Sequence, residues 1–156
     1  MSKSVAQVRG TRIRRSRSSR GIPYAASIGV RAGGPQDLAQ QVEAGLPYTA
    51  FEKLQRLFRV SGPELAELLD IPPRTLTRRK QAGRFAPKES ERLLRLSKLF
   101  EASAELFEGD RKGAVAWLRS SNRGLDGETP LAMSKTEIGA REVENLIGRL
   151  EHGVSS

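Results

Sequence analysis

From Pro35 onward, apolar residues recur at intervals of three and four, the spacing that lines one face of a helix rather than of a strand. Gln36 to Ala44 sets Leu38 and Val42 four apart and closes at Gly45, a residue free to take the left-handed conformation that ends helices. Residues 48 to 58 place Phe51, Leu54, Leu57 and Phe58 on one face, with Pro47 and Gly62 as punctuation. Pro87 opens a longer helix with Glu89 and Glu91 in its first turn, where the helix dipole favours them. Its stripe of Leu93, Leu96, Phe100, Ala104 and Phe107 is as wide as a core helix needs, and Gly109 stops it. Asp110 caps the next helix, which packs through Val115, Trp117 and Leu118. Ser121 to Leu131 turns at Gly124 and Gly127, after which Thr129 caps a short helix opened by Pro130. Ser134 and Glu137 form a capping box before a final helix, with Val143, Leu146, Ile147 and Leu150 on one face and Gly153 at its end. No segment alternates with period two between hairpin turns, so the expected fold is all-α.

The middle of the chain carries a more specific arrangement. Ser61 and Glu64 form a capping box that opens a short helix through Leu69, with Leu65, Leu68 and Leu69 as its buried stripe. Asp70, Ile71 and Pro72 make the turn, and Pro73 starts a second helix at the position where its missing N–H costs nothing. The spacing resembles a helix-turn-helix: small Ala66 where the helices touch, Asp70 at the turn, apolar Ile71, then Thr75, Leu76, Thr77 and Arg78. Most such motifs carry Gly where Asp70 stands, and Asp is among the few side chains that tolerate a positive φ. The second helix and the loop after it hold Arg74, Arg78, Arg79, Lys80 and Arg84 with no acid between them. Those cations suit phosphate neutralisation and bidentate contact to guanine, and Thr75 and Thr77 can reach phosphates or base edges. A merely solvated basic face is the competing reading.

Charge sharpens the division of the chain. Of the net +9, residues 1 to 36 supply +8 through Lys3, Arg9, Arg12, Arg14, Arg15, Arg17, Arg20 and Arg31, so 9 − 8 leaves +1 for the remainder. The first 20 or so residues, rich in Arg and Ser, bury too little to offset ordering entropy and read as a disordered basic arm. A solubilising tail and a phosphate-contacting or minor-groove arm both remain open for it. There is no cysteine and only one histidine, His152, which removes disulfides and clustered metal ligands from consideration. No apolar run nears the roughly 18 residues of a membrane span, and no signal peptide is read, so a cytoplasmic protein is expected. With no phosphate-cradling loop and no paired nucleophile and base, neither an enzyme, a cofactor nor a small-molecule substrate is expected.

Four runs, "GLPYTAFEKL", "RTLTRRKQAGRFAPKESERLLRL", "WLRSSNRGLDGETPL" and "TEIGAREVENLIGRLEHGV", resemble the Xre/MbcA/ParS family of antitoxins, partners of RES-domain toxins. The match covers roughly residues 45 to 154, and its last run is the most distinctive. Ser121, Asp126, Ala132, Met133 and Ala86 depart from the usual family residues, mostly at turns and caps. The resemblance implies a toxin that degrades NAD, an antitoxin whose carboxy-terminal region covers the toxin's active-site entrance, and autorepression through operator DNA, commonly as a homodimer. It divides the chain into a basic flexible arm (1–34), amino-terminal helices with the helix-turn-helix (35–86), and a helical toxin-binding region (87–156). On that reading Arg141, Glu144, Asn145, Arg149, Glu151 and His152 face the toxin. Composition alone makes the same face a solvated one, and a stand-alone helix-turn-helix regulator without a toxin partner is the alternative function.

Overall fold

The computed structural model describes residues 21–153, and these form an all-helical fold with no strand among them. In chain order the helices are α1 (Pro23–Ala26), α2 (Pro35–Ala44), α3 (Tyr48–Phe58), α4 (Gly62–Leu68), α5 (Pro73–Ala82), α6 (Pro87–Leu106), α7 (Arg111–Leu118), α8 (Pro130–Met133) and α9 (Glu137–Gly153). A single 3₁₀ turn, Arg123–Leu125, lies between α7 and α8.

Helix α6 is the spine. At 20 residues it is about 30 Å long, and α1, α2, α3, α7 and α9 all pack along it. Leu93, Leu96, Leu99 and Phe100 are essentially inaccessible, and each such side chain contributes roughly 1.5 to 3 kcal/mol through burial. Along the same helix lie three fully buried serines that the apolar pattern does not reveal. Each is short enough to let a neighbour approach and each is hydrogen-bonded: Ser90 Oγ accepts from Leu46 N at 2.9 Å, Ser97 Oγ donates to the Tyr24 carbonyl, and Ser103 Oγ donates to Leu99 O at 2.8 Å. Small polar residues here replace apolar bulk without leaving an unsatisfied group.

The flexible-arm boundary at residue 34 is corrected by this packing. Ala25, Ile28, Val30 and Ala32 are all buried, and α1 lies against α6. Apolar residues 22–32 supply a core strip that the Arg- and Ser-rich composition upstream obscured. The basic arm over residues 1–20 lies outside the described residues.

The second correction concerns the start of α9. The box at Ser134 and Glu137 does not form: Ser134 is buried, and its hydroxyl donates back to Pro130 O at 2.7 Å, closing α8. Thr136 takes the capping role instead, its Oγ1 accepting from Gly139 N at 3.0 Å. Two nearby hydroxyl residues competed for the cap, and the short α8 claimed the first of them.

Candidate functional site

The helix-turn-helix bend forms where the sequence predicts it, with one half of the predicted capping box in place. Ser61 Oγ accepts from Glu64 N at 3.2 Å, fixing the start of α4. The reciprocal half of the box is absent, because Glu64 turns outward to Arg119, 3.4 Å away. Asp70 takes φ 55°, the left-handed conformation the turn requires, and Ile71 N then donates to Ala66 O at 2.8 Å. Ala66 and Leu65 are buried beneath the bend. Arg92 reaches across from α6 and donates through Nη1 to Leu69 O at 3.1 Å and Asp70 O at 3.3 Å, holding the exposed carbonyls at the end of α4.

Helix α5 has no fully buried residue; it touches the body mainly through half-buried Thr75, Leu76 and Arg79. What holds it is at its ends. At the start it is tethered by the turn, and at the finish Arg79 Nε donates to Glu89 Oε1 at 2.7 Å while Nη2 donates to Oε2 at 3.3 Å. After Gly83, Tyr48 N donates to Gly83 O and Phe85 N to Leu46 O, each at 2.9 Å. Phe85 is thereby seated on the Tyr48 and Phe51 rings, with centroids 5.4 and 5.9 Å away. Gly45 is required at this crossing: its φ is +91°, and a Cβ there would stand 2.2 Å from Phe85 O.

The seven candidate residues of this region therefore divide. Arg74, Thr77, Arg78, Lys80 and Arg84 are exposed. Arg78 stays close to Thr75, with Nη2 3.4 Å from its Oγ1, and Thr77 Oγ1 donates to Pro73 O at 3.1 Å. Arg84 Nη1 donates to Gly45 O at 2.7 Å, so part of its guanidinium is engaged in the loop crossing. Arg79 stands apart from the others, turned toward α6 and locked on Glu89. Burial pushes the Glu89 carboxyl up, but hydrogen bonds from Arg79 and the Ala86 N–H, with the charges of Arg79 and Arg92, outweigh it and hold it below the ordinary glutamate value. The hydrogen bond to Glu89 in turn raises Arg79 further. Spacing alone could not separate Arg79 from Arg78; the acid ten residues on, at a helix start, was the available clue.

The second candidate surface is the outer face of α9. Val143, Leu146 and Ile147 are buried against the body, which turns Arg141, Asn145, Arg149 and His152 outward along one stripe at spacings of four, four and three. Glu144 and Glu151, seven apart, run beside it; Glu144 lies 3.9 Å from Lys98 of α6. A shallow groove opens between Glu144, Asn145, Gly148, Arg149 and His152, where Gly148 leaves the helix surface bare. The stripe also contains a residue that sequence reasoning missed. Ile138, seven before Asn145, is 81% exposed, the one large exposed hydrophobic among the described residues. Its position off the Val143–Leu146–Ile147–Leu150 line was the sign that could have found it.

α9 is held by close approach as well as by apolar contact. Gly139 sits so near the end of α8 that a Cβ would meet Met133 O at 1.8 Å.

A helix-turn-helix with a basic, lightly anchored second helix is followed by a helical module that exposes a mixed polar and apolar stripe. Residues 37–98 match the Antitoxin Xre-like helix-turn-helix domain, and residues 102–153 match the Antitoxin Xre/MbcA/ParS C-terminal toxin-binding domain. Antitoxin Xre of Yersinia enterocolitica is 37% identical over 130 residues, covering 83% of this chain and 88% of the relative. Antitoxin Xre of Photorhabdus laumondii is 33% identical over 135 residues, covering 86% and 91%. The chain belongs to the Xre antitoxin family.

Proposed function

We propose that this protein neutralises a RES-domain, NAD-degrading toxin by laying the outer face of α9 over the toxin's active-site entrance, and that it represses its own operon through α5. The observation that carries the reading is the exposed stripe Ile138, Arg141, Asn145, Arg149 and His152, which falls inside the region matching a toxin-binding domain. Ile138 supplies an apolar anchor and the flanking charges supply orientation, the usual arrangement of a protein interface. Glu144 and Glu151 extend the contact sideways.

At the operator, Arg74, Thr75, Thr77, Arg78 and Lys80 enter or border the major groove, with Arg84 at the edge. Arg79 is a positioning residue: it fixes the angle of α5 through Glu89 and does not itself touch DNA. A homodimer presents two such helices to a symmetric operator. The protein acts in the cytoplasm and performs no chemistry of its own.

The direct test is co-expression with the product of the adjacent gene, which the reading expects to be a RES-domain protein. Rescue of growth and co-purification of the pair are expected. A folded, toxic neighbour that neither binds nor is silenced would leave the second reading, a stand-alone regulator, which the basic helix α5 favours by itself.

A further inference from the structure

The cations of the globular part are unevenly placed. A cavity of about 460 Å³ lies between the end of α3 and the length of α7, rimmed by Arg56, Arg59, Arg111, Lys112 and Arg119 and by no carboxylate. Five cations in one place are unexpected where residues 37–156 carry 19 basic and 18 acidic residues, a net of +1. Structural duties account for only two of them. Arg119 Nη1 donates to Arg59 O at 3.2 Å and its Nη2 lies 3.4 Å from Glu64. Arg111 lies 5.5 Å from the Phe100 ring centroid and 3.9 Å from Glu101. Arg56, Arg59 and Lys112 are exposed, and no carboxylate among the described residues pairs with them.

The rest of the lining is apolar: half-buried Leu57, buried Val115 and exposed Ala116, together with the buried rings of Phe58 and Phe100. A duplex backbone is bound by cations spread along its path, whereas an apolar-walled hollow within the roughly 300 to 1,000 Å³ of small-molecule sites encloses a compact ligand. We propose that this cavity binds a small phosphorylated ligand with a flat or apolar body, the chemistry of a nucleotide. Its phosphates are held by Arg56, Arg59 and Lys112, and its body rests on Leu57, Val115 and Ala116. Guanidinium groups suit the phosphates because they donate in bidentate pairs. The site lies at a seam: Arg56 and Arg59 come from the helix-turn-helix region, Arg111, Lys112 and Arg119 from the toxin-binding region. An occupant touches both. The inference stands independently of which toxin the protein binds.

The test is calorimetric titration of the full chain at physiological ionic strength with ATP and, separately, with inorganic tripolyphosphate. Saturable binding of ATP is expected, weakened tenfold or more (about 1.4 kcal/mol) in the double variant Arg56→Glu/Lys112→Glu. Ala116→Phe, which fills the hollow and leaves every charge in place, should weaken ATP while sparing tripolyphosphate. Both variants alter exposed positions, and an unchanged melting temperature confirms that they fold. Arg74→Ala/Arg78→Ala, in the recognition helix, should leave ATP binding as it is. The inference is overturned if ATP does not bind saturably, if the α5 variant abolishes binding that the cavity variants leave intact, or if the cavity variants weaken duplex DNA alone.

Discussion

Arg79 and Glu89 form a two-pronged ion pair, 2.7 and 3.3 Å, that joins the last turn of α5 to the first turn of the spine helix α6. Glu89 also accepts from Ala86 N at 2.8 Å, the half of a capping box that does not need a side-chain oxygen at Ala86. One carboxylate thus both starts α6 and sets the pose of α5. Glu89→Gln should lower stability by roughly 1 to 3 kcal/mol, since it leaves a partly buried guanidinium without its charge partner. Because the folded carboxyl sits below its ordinary value, the unfolded chain takes up the proton first as pH falls. The stabilisation is therefore complete above about pH 4.3 and fades as pH drops through the lower folded value. Denaturant melts of the wild type and the variant between neutral and acid pH check this; their difference should shrink toward acid.

Removing Arg78 and removing Arg79 should have different consequences. Arg78→Ala should leave the melting temperature nearly unchanged and weaken operator binding by roughly 1 to 3 kcal/mol if it reads a base. If it holds a phosphate, all sequences weaken alike and the slope of log K against log salt flattens by about one. Arg79→Ala should lower the melting temperature first and weaken DNA binding only through the loosened helix. Titrations on operator and scrambled duplexes at several salt concentrations, beside thermal melts, separate the two.

The cap on α9 is a single hydroxyl. Thr136→Ala should cost about 1 kcal/mol, within the usual range of roughly 0.5 to 2 for a lost N-cap. The preceding residue, Lys135, carries no acceptor that could take its place. Thr136→Ser, which keeps the oxygen, should restore most of the loss in urea denaturation.

Gly139 tests how α9 is seated. With Met133 O 1.8 Å from any Cβ, Gly139→Ala must push α9 away from α8, and a loss of more than about 2 kcal/mol is expected. Toxin capture should fall with it at temperatures where the rest of the chain remains folded. Hydrogen exchange localised to α8 and α9 would show whether the damage is confined there.

The parts of this fold that were legible from sequence are those fixed by local chemistry. The turn at Asp70 needed a residue tolerant of positive φ, the starts at Asp110 and Thr129 needed side-chain acceptors, and α3 and α6 needed apolar stripes; each stands as the pattern implied. What escaped depends on contacts distant in sequence. Ser97 looks like a flaw in the α6 stripe until the Tyr24 carbonyl meets it, and residues 22–32 look like a tail until α6 covers Ile28 and Val30. Arg79 is one of a run of like charges until Glu89 claims it. Ile138 shows the reverse: its side chain suggests burial, but the faces of α9 are set by Gly139 and Val143, which leave it outside.

The central claim is that the outer stripe of α9 holds the toxin while α5 holds DNA. The most direct measurement is the affinity of the purified toxin for the full chain and for the surface variant Asn145→Arg/Arg149→Glu, with operator binding measured in parallel. The account predicts a loss of toxin affinity of about a hundredfold, or roughly 2.7 kcal/mol, with melting temperature and operator affinity preserved. Undiminished toxin binding by that variant would contradict it.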